Sequence, residues 1–235
     1  MNPSVCYLTY RGAPPDQPTI RAILDAMPGD GAPRPLIASM SLPAPYPVSD
    51  IADDVEQRGA WPNWREESRS WKGHVILFAL SKDKSFEAKR VEAAQLLHAA
   101  AAVAPATGAD SVAWSGSLVF RPTAAFAAAI KQDGPPVTVL VRSLWTNAPD
   151  GRGGEMRTRG LAALGLAEFH HAATGEPPDA IYNRIMNLCA YVLTNGPVLK
   201  DGNTFGTDDR AAMRVRETRD EAGAPMLRLE PVAQN

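Results

Sequence analysis

"HVILFALSKDKSFEAKRVEAAQLLHAAAAV", residues 74–103, changes its period partway along and thereby sets the fold class. Residues 74–80 form a nearly continuous apolar run of strand length, the pattern of a central strand covered on both faces. From Lys84 to Val103 the pattern is helical: Phe86, Arg90, Ala93, Leu97 and Ala101 recur about a turn apart, and alanine supplies propensity. A strand followed at once by a long helix calls for a layered protein containing both.

The flanking sequence extends this alternation. Upstream, "SVCYLTY" at 4–10 has β-branched and aromatic content and is stopped by Gly12, Pro14 and Pro15. A short helix is expected around Thr19 to Met27, a turn-rich joint at "PGDGAPRP" (28–35), and a second strand at "LIASMSL" (36–42). The segment 43–64 starts extended and is expected to become helical after Ser49, whose hydroxyl suits an N-cap. Downstream, "DSVAWSGSLVF" (110–120) restores strand character, Pro122 opens a short Ala-rich helix ending near Gln132, and "PVTVLVRSLW" (136–145) reads as another central strand. Residues 148–156 read as an exposed loop. Ile181, Ile185, Leu188, Cys189 and Val192 then make one apolar helical stripe, started by Pro177, Pro178 and Asp179 and stopped by Asn195, Gly196 and Pro197. The alternating segments "AMRVRETR" and "PMLRLEPV", joined by "DEAGA", read as a C-terminal β-hairpin. The expected fold is α+β, one domain over 1–235, with a mixed, largely antiparallel sheet and helices packed on it. A doubly wound parallel sheet is disfavoured because no strand leads into a Gly-rich phosphate turn.

Composition narrows the function classes. The chain has 235 residues, 45% of them hydrophobic, which is ample for a core. Basic and acidic residues number 24 and 26, for a net charge of −2, so no global field gathers nucleic acid or anionic lipid. No apolar run approaches the about 20 residues of a membrane span, and "MNPSVCYLTYRG" lacks the pattern of a signal peptide, so a cytoplasmic location is expected. Cys6 and Cys189 lie far apart in sequence, which favours reduced, inert thiols.

The stretch "RTRGLAALGLAEFHH" (157–171) invites a chemical reading. His170 and His171 are adjacent, and neighbours on a strand point to opposite faces, so they do not chelate one ion together. Glu168 and His170 share a parity and form a possible acid–base pair. The remaining histidines are His74 and His98, too few for an obvious third ligand, so no metal and no cofactor is expected. Gly160 and Gly165 match neither common phosphate fingerprint and read as tight-turn glycines. Ser115 and Ser117 lack the setting of a nucleophile elbow. "LKDGNTFGTDD" (199–209) offers Asp201, Asn203, Asp208 and Asp209 as oxygen ligands for a cation, but its glycine follows Asp201 directly, as in an ordinary Asp-Gly turn. Trp61, Trp64 and Trp71 with Arg58, Arg65, Arg69 and Lys72 mix aromatic and basic groups, suited either to core packing or to a partner.

The motifs "SMSLPAPYPVSDI", "WPNW", "HVILFAL", "SVAWSGSLVF", "TRGLAALGLAEF" and "DGNTFGTDD", in this order, resemble the bacterial domain of unknown function catalogued as four-two-six-one, over roughly 35–230. Gly160, Leu161, Gly165 and Glu168 match one motif of that family, and Asp201, Gly202, Thr204 and Gly206 another. Ala167 stands where proline is common and Phe205 where an aliphatic residue is usual. The resemblance implies an α+β bacterial cytoplasmic protein, with members sometimes near secretion or toxin genes, and carries no catalytic residues.

Three functional expectations follow. The first is a non-enzymatic binding protein, with an immunity protein neutralising a type VI secreted toxin as its specific form; its partner is a protein, not nucleic acid or membrane, met through Trp61, Trp64, Arg65, Arg69 and Trp71. The second is an enzyme built on Glu168, His170, Asp201 and Thr204. The third is an adaptor or self-associating subunit, pairing through the outer strand of the hairpin.

Overall fold

The computed structural model describes residues 4–27, 36–80, 83–147, 154–171, 176–206 and 212–232. The strands form two sheets. The first contains β1 (Ser4–Tyr10), β2 (Leu36–Leu42), β3 (Gly73–Leu80), β4 (Ser111–Trp114) and β5 (Arg121–Pro122), in the order β2-β3-β1-β4-β5 and antiparallel throughout. The apolar run 74–80 is internal, between β2 and β1.

Alternation along this sheet separates two apolar layers. Cys6, Leu8, Val112 and Trp114 point into the larger core together with Leu96, Leu97, Ala100 and Val103 of the long helix α4 (Phe86–Thr107). The intervening Tyr7 and Ala113, paired in register, face the other way. They meet Tyr46, Trp61, Trp64, Trp71 and Phe120, so a strap of chain covers the second face. α4 begins where Ser85 Oγ accepts from Ala88 N and ends at Gly108 in the left-handed region. Beside α4 pack α1 (Gln17–Ala26) and α5 (Thr123–Ile130).

The second sheet contains β6 (Arg142–Asn147), β7 (Gly154–Arg159), β8 (Glu168–His171), β9 (Thr204–Phe205), β10 (Met213–Arg219) and β11 (Pro225–Pro231), in the order β6-β7-β8-β11-β10-β9. β8 and β11 are parallel and every other pair is antiparallel. Helix α7 (Pro178–Asn195) buries Ile181, Ile185, Leu188, Cys189 and Val192, the expected stripe, in the same core that holds Val215, Leu227 and Leu229 of this sheet and Leu8 and Leu77 of the first. The protein is thus α+β, mostly antiparallel, with the β10–β11 hairpin at its C-terminal end.

Four local expectations are corrected. Residues 136–145 are not one central strand: Val137–Leu140 is a single helical turn, α6, and only Arg142 onward is a strand, at the sheet edge. The Pro136 carbonyl accepts from Val139 and Leu140, and burial of Val139, Leu140 and Val141 is satisfied by a turn as well as by a strand. The helix after residue 49 starts later, as α2 (Val55–Ala60), capped by Asp54, whose carboxylate accepts from Gln57 N; Ser49 instead donates to Asp50. Strand β7 starts at Gly154, inside the stretch expected to be a loop, and 148–153 lies outside the described residues. Residues 110–120 are strand only to Trp114, after which the chain turns, with Leu118 at φ 54°. The expected joint at 28–35 also lies outside the described residues.

Both cysteines are free and buried, and burial pushes their thiols far up from the ordinary range. A thiol reagent such as dithionitrobenzoate is expected to leave the native protein unmodified and to titrate both thiols once urea unfolds it; fast native labelling contradicts the packing described here.

Candidate functional site

The residues singled out in the sequence serve different ends in the fold. Glu168 is a clasp. Its carboxylate accepts from Thr158 Oγ (2.7 Å), Gly160 N (2.8 Å) and Ala162 N (2.9 Å), and Thr158 Oγ in turn accepts from Phe169 N (2.7 Å). It thereby ties the ends of β7 and β8 to the 3-10 turn Leu161–Leu164 between them. Gly160 opens that turn at φ 129°, where a Cβ would sit 2.0 Å from the Leu140 carbonyl oxygen, and Gly165 closes it at φ 78°. The stretch Gly160–Glu168 is therefore a backbone device: two glycines for the turn and one carboxylate for its free amides.

His170 and His171 diverge as expected of neighbours on a strand. His170 Nε2 lies 2.9 Å from Glu155, whose carboxyl is held below its ordinary range chiefly by that hydrogen bond. His171 is fully buried, with Nε2 3.0 Å from Arg184 Nη1. Asp201 accepts from Glu217 N (3.0 Å) in a turn with Gly202 at φ 82°, and Thr204 is exposed on β9. With β11 and β10 between β8 and β9, Glu168 and His170 lie three strand spacings from Thr204, roughly 14 Å. The structure does not gather the four at one point. Asp208 and Asp209 lie outside the described residues, and no cluster of three metal-ligating side chains occurs among the described ones.

Trp61, Trp64 and Trp71 are at most 5% exposed. They seat α2 and the following turn α3 (Trp64–Ser68) on the first sheet, and what reaches solvent above them is Arg58, Arg65, Glu66 and Arg69. Arg65 is fixed by a 2.6 Å bond to Asp53 and lies over the Trp64 ring, its guanidinium carbon 5.4 Å from the ring centre. The Arg65 hydrogen bond holds the Asp53 carboxyl below the usual range.

Beside this ridge lies a groove of about 830 Å³ that the sequence did not disclose. One wall is α2, with Asp54, Glu56 and Arg58; the floor is Ser143, Trp145 and Asn147 of β6 with Met156 of β7; Arg121, Tyr182 and Asp179 close the far side. Glu56 accepts from Ser143 Oγ at 2.6 Å, and burial, the largest influence, raises its carboxyl above the ordinary range. Burial also lowers the Arg121 guanidinium, and burial with the nearby Glu56 charge raises the Tyr182 phenol. Half-buried polar groups with shifted pKa values lining a cleft make it a candidate binding or reaction site. They stand far apart in sequence, which is why local patterning missed them; the one available signal was Arg142, a charge inside the apolar run "VLVRSLW". A second cavity, about 840 Å³, lies between the end of α7 and strands β8, β11 and β10, with an apolar floor and with Lys200, Glu217 and Arg219 among its lining residues.

Residues 157–230 match the family model of a domain of unknown function (DUF4261). The resemblance read in the sequence is thereby shown for the C-terminal part of the chain, most of the second sheet with α7, while the motifs "SMSLPAPYPVSDI", "WPNW", "HVILFAL" and "SVAWSGSLVF" lie before the matched segment. No curated protein and no solved structure matches the chain.

The clasp yields two expectations measurable by urea denaturation. Glu168→Ala removes the acceptor of both amides and of the Thr158 hydroxyl and is expected to cost about 1.5–3 kcal/mol. Gly160→Ala meets the Leu140 carbonyl and is expected to cost on the order of 3 kcal/mol or more. Midpoints unchanged from wild type would refute the clasp.

Proposed function

We propose that this chain is a non-enzymatic binding protein that recognises a folded protein partner through the α2–α3 ridge. The reading rests on one observation: Arg58, Arg65 and Arg69 are presented on a short, rigid segment whose tryptophans are buried beneath it. Arg65, held by Asp53 and the Trp64 ring before contact, loses little side-chain entropy on binding, and arginine is favoured at interface centres. Arg58 and Arg65 share Asp53, whereas Arg69 makes no ion pair among the described residues, so the partner supplies a carboxylate opposite Arg69. In its specific form, the protein is a bacterial cytoplasmic immunity protein and the partner a type VI secreted toxin; such a role needs a complementary surface and no reaction centre.

Self-association through the hairpin draws less support. β11 is internal, and the outer strand β10 is covered by β9 at Met213 and Arg214, and by Gly202 and Asn203 at Val215. No helix among the described residues is long and apolar enough to cross a membrane.

Co-expression with the products of neighbouring reading frames, followed by pull-down and a toxicity-rescue assay, tests the proposal. The double variant Arg65→Glu, Arg69→Glu is expected to weaken the complex at least about tenfold, about 1.4 kcal/mol. Its thermal midpoint is expected to stay near that of wild type, because exposed ion pairs contribute about 0–1 kcal/mol. Undiminished binding by the variant, or no complex with any neighbouring product, would remove the proposal.

A further inference from the structure

The groove beside the ridge holds a cation, Arg121, that makes no ion-pair contact among the described residues. Arg121 is half-buried and donates through Nη2 to the Thr138 carbonyl at 2.8 Å. Its Nε is sealed from solvent and without a hydrogen-bond partner, and no carboxylate lies within ion-pair distance among the described residues. The other charges of the groove are largely committed. Asp54 is bound by Arg142 at 2.6 Å and Asp53 by Arg65 at 2.6 Å, while Glu56 takes the Ser143 hydroxyl. Asp179 and Arg58, both exposed, stand at the rim with opposite signs. Glu56 acts on this guanidinium from beyond ion-pair distance; a guanidinium partly withdrawn from water without a carboxylate in contact is costly, and a carboxylate bound at its groove-facing nitrogens supplies that contact.

Size and lining restrict the ligand further. Trp145 and Met156, cross-strand partners, form an apolar floor next to the polar wall, and Trp145 is anchored by its Nε1 bond to Asn147 at 2.7 Å. Tyr182 brings a phenol hydroxyl to the same side as Arg121. A pocket with a flat apolar surface at one side and a cation with a hydroxyl donor at the other fits an amphipathic anion with a planar body.

We propose that this groove binds an organic monocarboxylate with a flat apolar body, its carboxylate on Arg121 and Tyr182 and its body along Trp145 and Met156. The site stands without the partner-binding reading: it uses none of Arg65, Arg69 or the buried tryptophans. Glu56 gives it a pH dependence. The groups facing Glu56 are Ser143 and Arg142 on β6, Arg121 on β5, Asp54 on its own helix and Tyr182 on α7. An incoming anion adds repulsion to a carboxyl already displaced upward by burial, so binding is coupled to proton uptake at Glu56. Affinity therefore falls as the pH rises from the ordinary carboxyl range through the raised one.

Benzoate is the probe, titrated into the full chain at about pH 5 and about pH 8, a range that spans ordinary and raised carboxyl values. Of the five tryptophans, Trp61, Trp64, Trp71 and Trp114 are at most 5% exposed, so the emission change reports Trp145, and calorimetry provides a second readout. Saturable binding is expected, tighter at the lower pH, and at least tenfold tighter than acetate, which lacks the flat body. Glu56→Gln is expected to bind at both pH values with equal affinity; Arg121→Gln, with circular dichroism confirming its fold, is expected to bind at least tenfold more weakly. The proposal is overturned if neither wild type nor Glu56→Gln binds benzoate, or if Arg121→Gln binds as wild type does. Equal affinity for acetate and benzoate overturns the assigned body contact.

Discussion

The buried guanidinium of Arg142 connects parts of the molecule that share little else. It is 1% exposed and donates to Asp54, to the Ala52 carbonyl, and, at longer range, to the carbonyls of Ser117 and Leu118. One side chain of the second sheet's edge strand thus holds the start of α2 and the turn that leaves the first sheet's β4. A buried charge supplied with one carboxylate and several carbonyls is tolerated; the same charge stripped of Asp54 is a loss of about 3–5 kcal/mol. Gln57 reinforces the junction by exchanging two hydrogen bonds with the Phe120 backbone, at 2.8 and 2.9 Å, so that a side chain imitates a neighbouring strand. Both walls of the groove follow from this tie, because it sets Glu56 against Ser143.

Elements governed by local periodicity were legible before the fold was known. The apolar run of β3, the stripe of α7 and the alternation of β10 and β11 each carry their burial pattern in consecutive residues. Residues 136–141 were not legible, because an unbroken apolar run has no period with which to choose between turn and strand. The split into two sheets was hidden for a related reason: each strand records which of its faces is apolar, not which strand lies beside it. Asp54 displaced Ser49 as the cap because it serves two partners, Gln57 N and Arg142, and the second is 88 residues away.

The chemistry of single side chains was less legible still. Glu168 and His170 were paired by strand parity, and both do lie on β8, but each found a nearer partner, the Gly160–Ala162 amides for one and Glu155 for the other. The tryptophans read as either core or contact surface turned out to be packed inside, and only the arginines beside them reach solvent. The groove joins Glu56, Arg121, Ser143 and Tyr182 across more than half the chain. Of these only Tyr182 falls in the segment matched to the domain of unknown function, so the site straddles the boundary between that segment and what precedes it.

The parallel contact between β8 and β11 imposes an order on assembly. β6, β7 and β8 follow one another as a meander, but the next place in the sheet belongs to β11, some fifty residues further along, and β10 and β9 join outward from it. During synthesis on the ribosome, the first sheet can pair its five strands early, whereas β8, paired with β7 on one side, waits with the edge that faces β11 open until that strand emerges. Nascent chains arrested within that interval are the ones most exposed to misassembly and most in need of a chaperone.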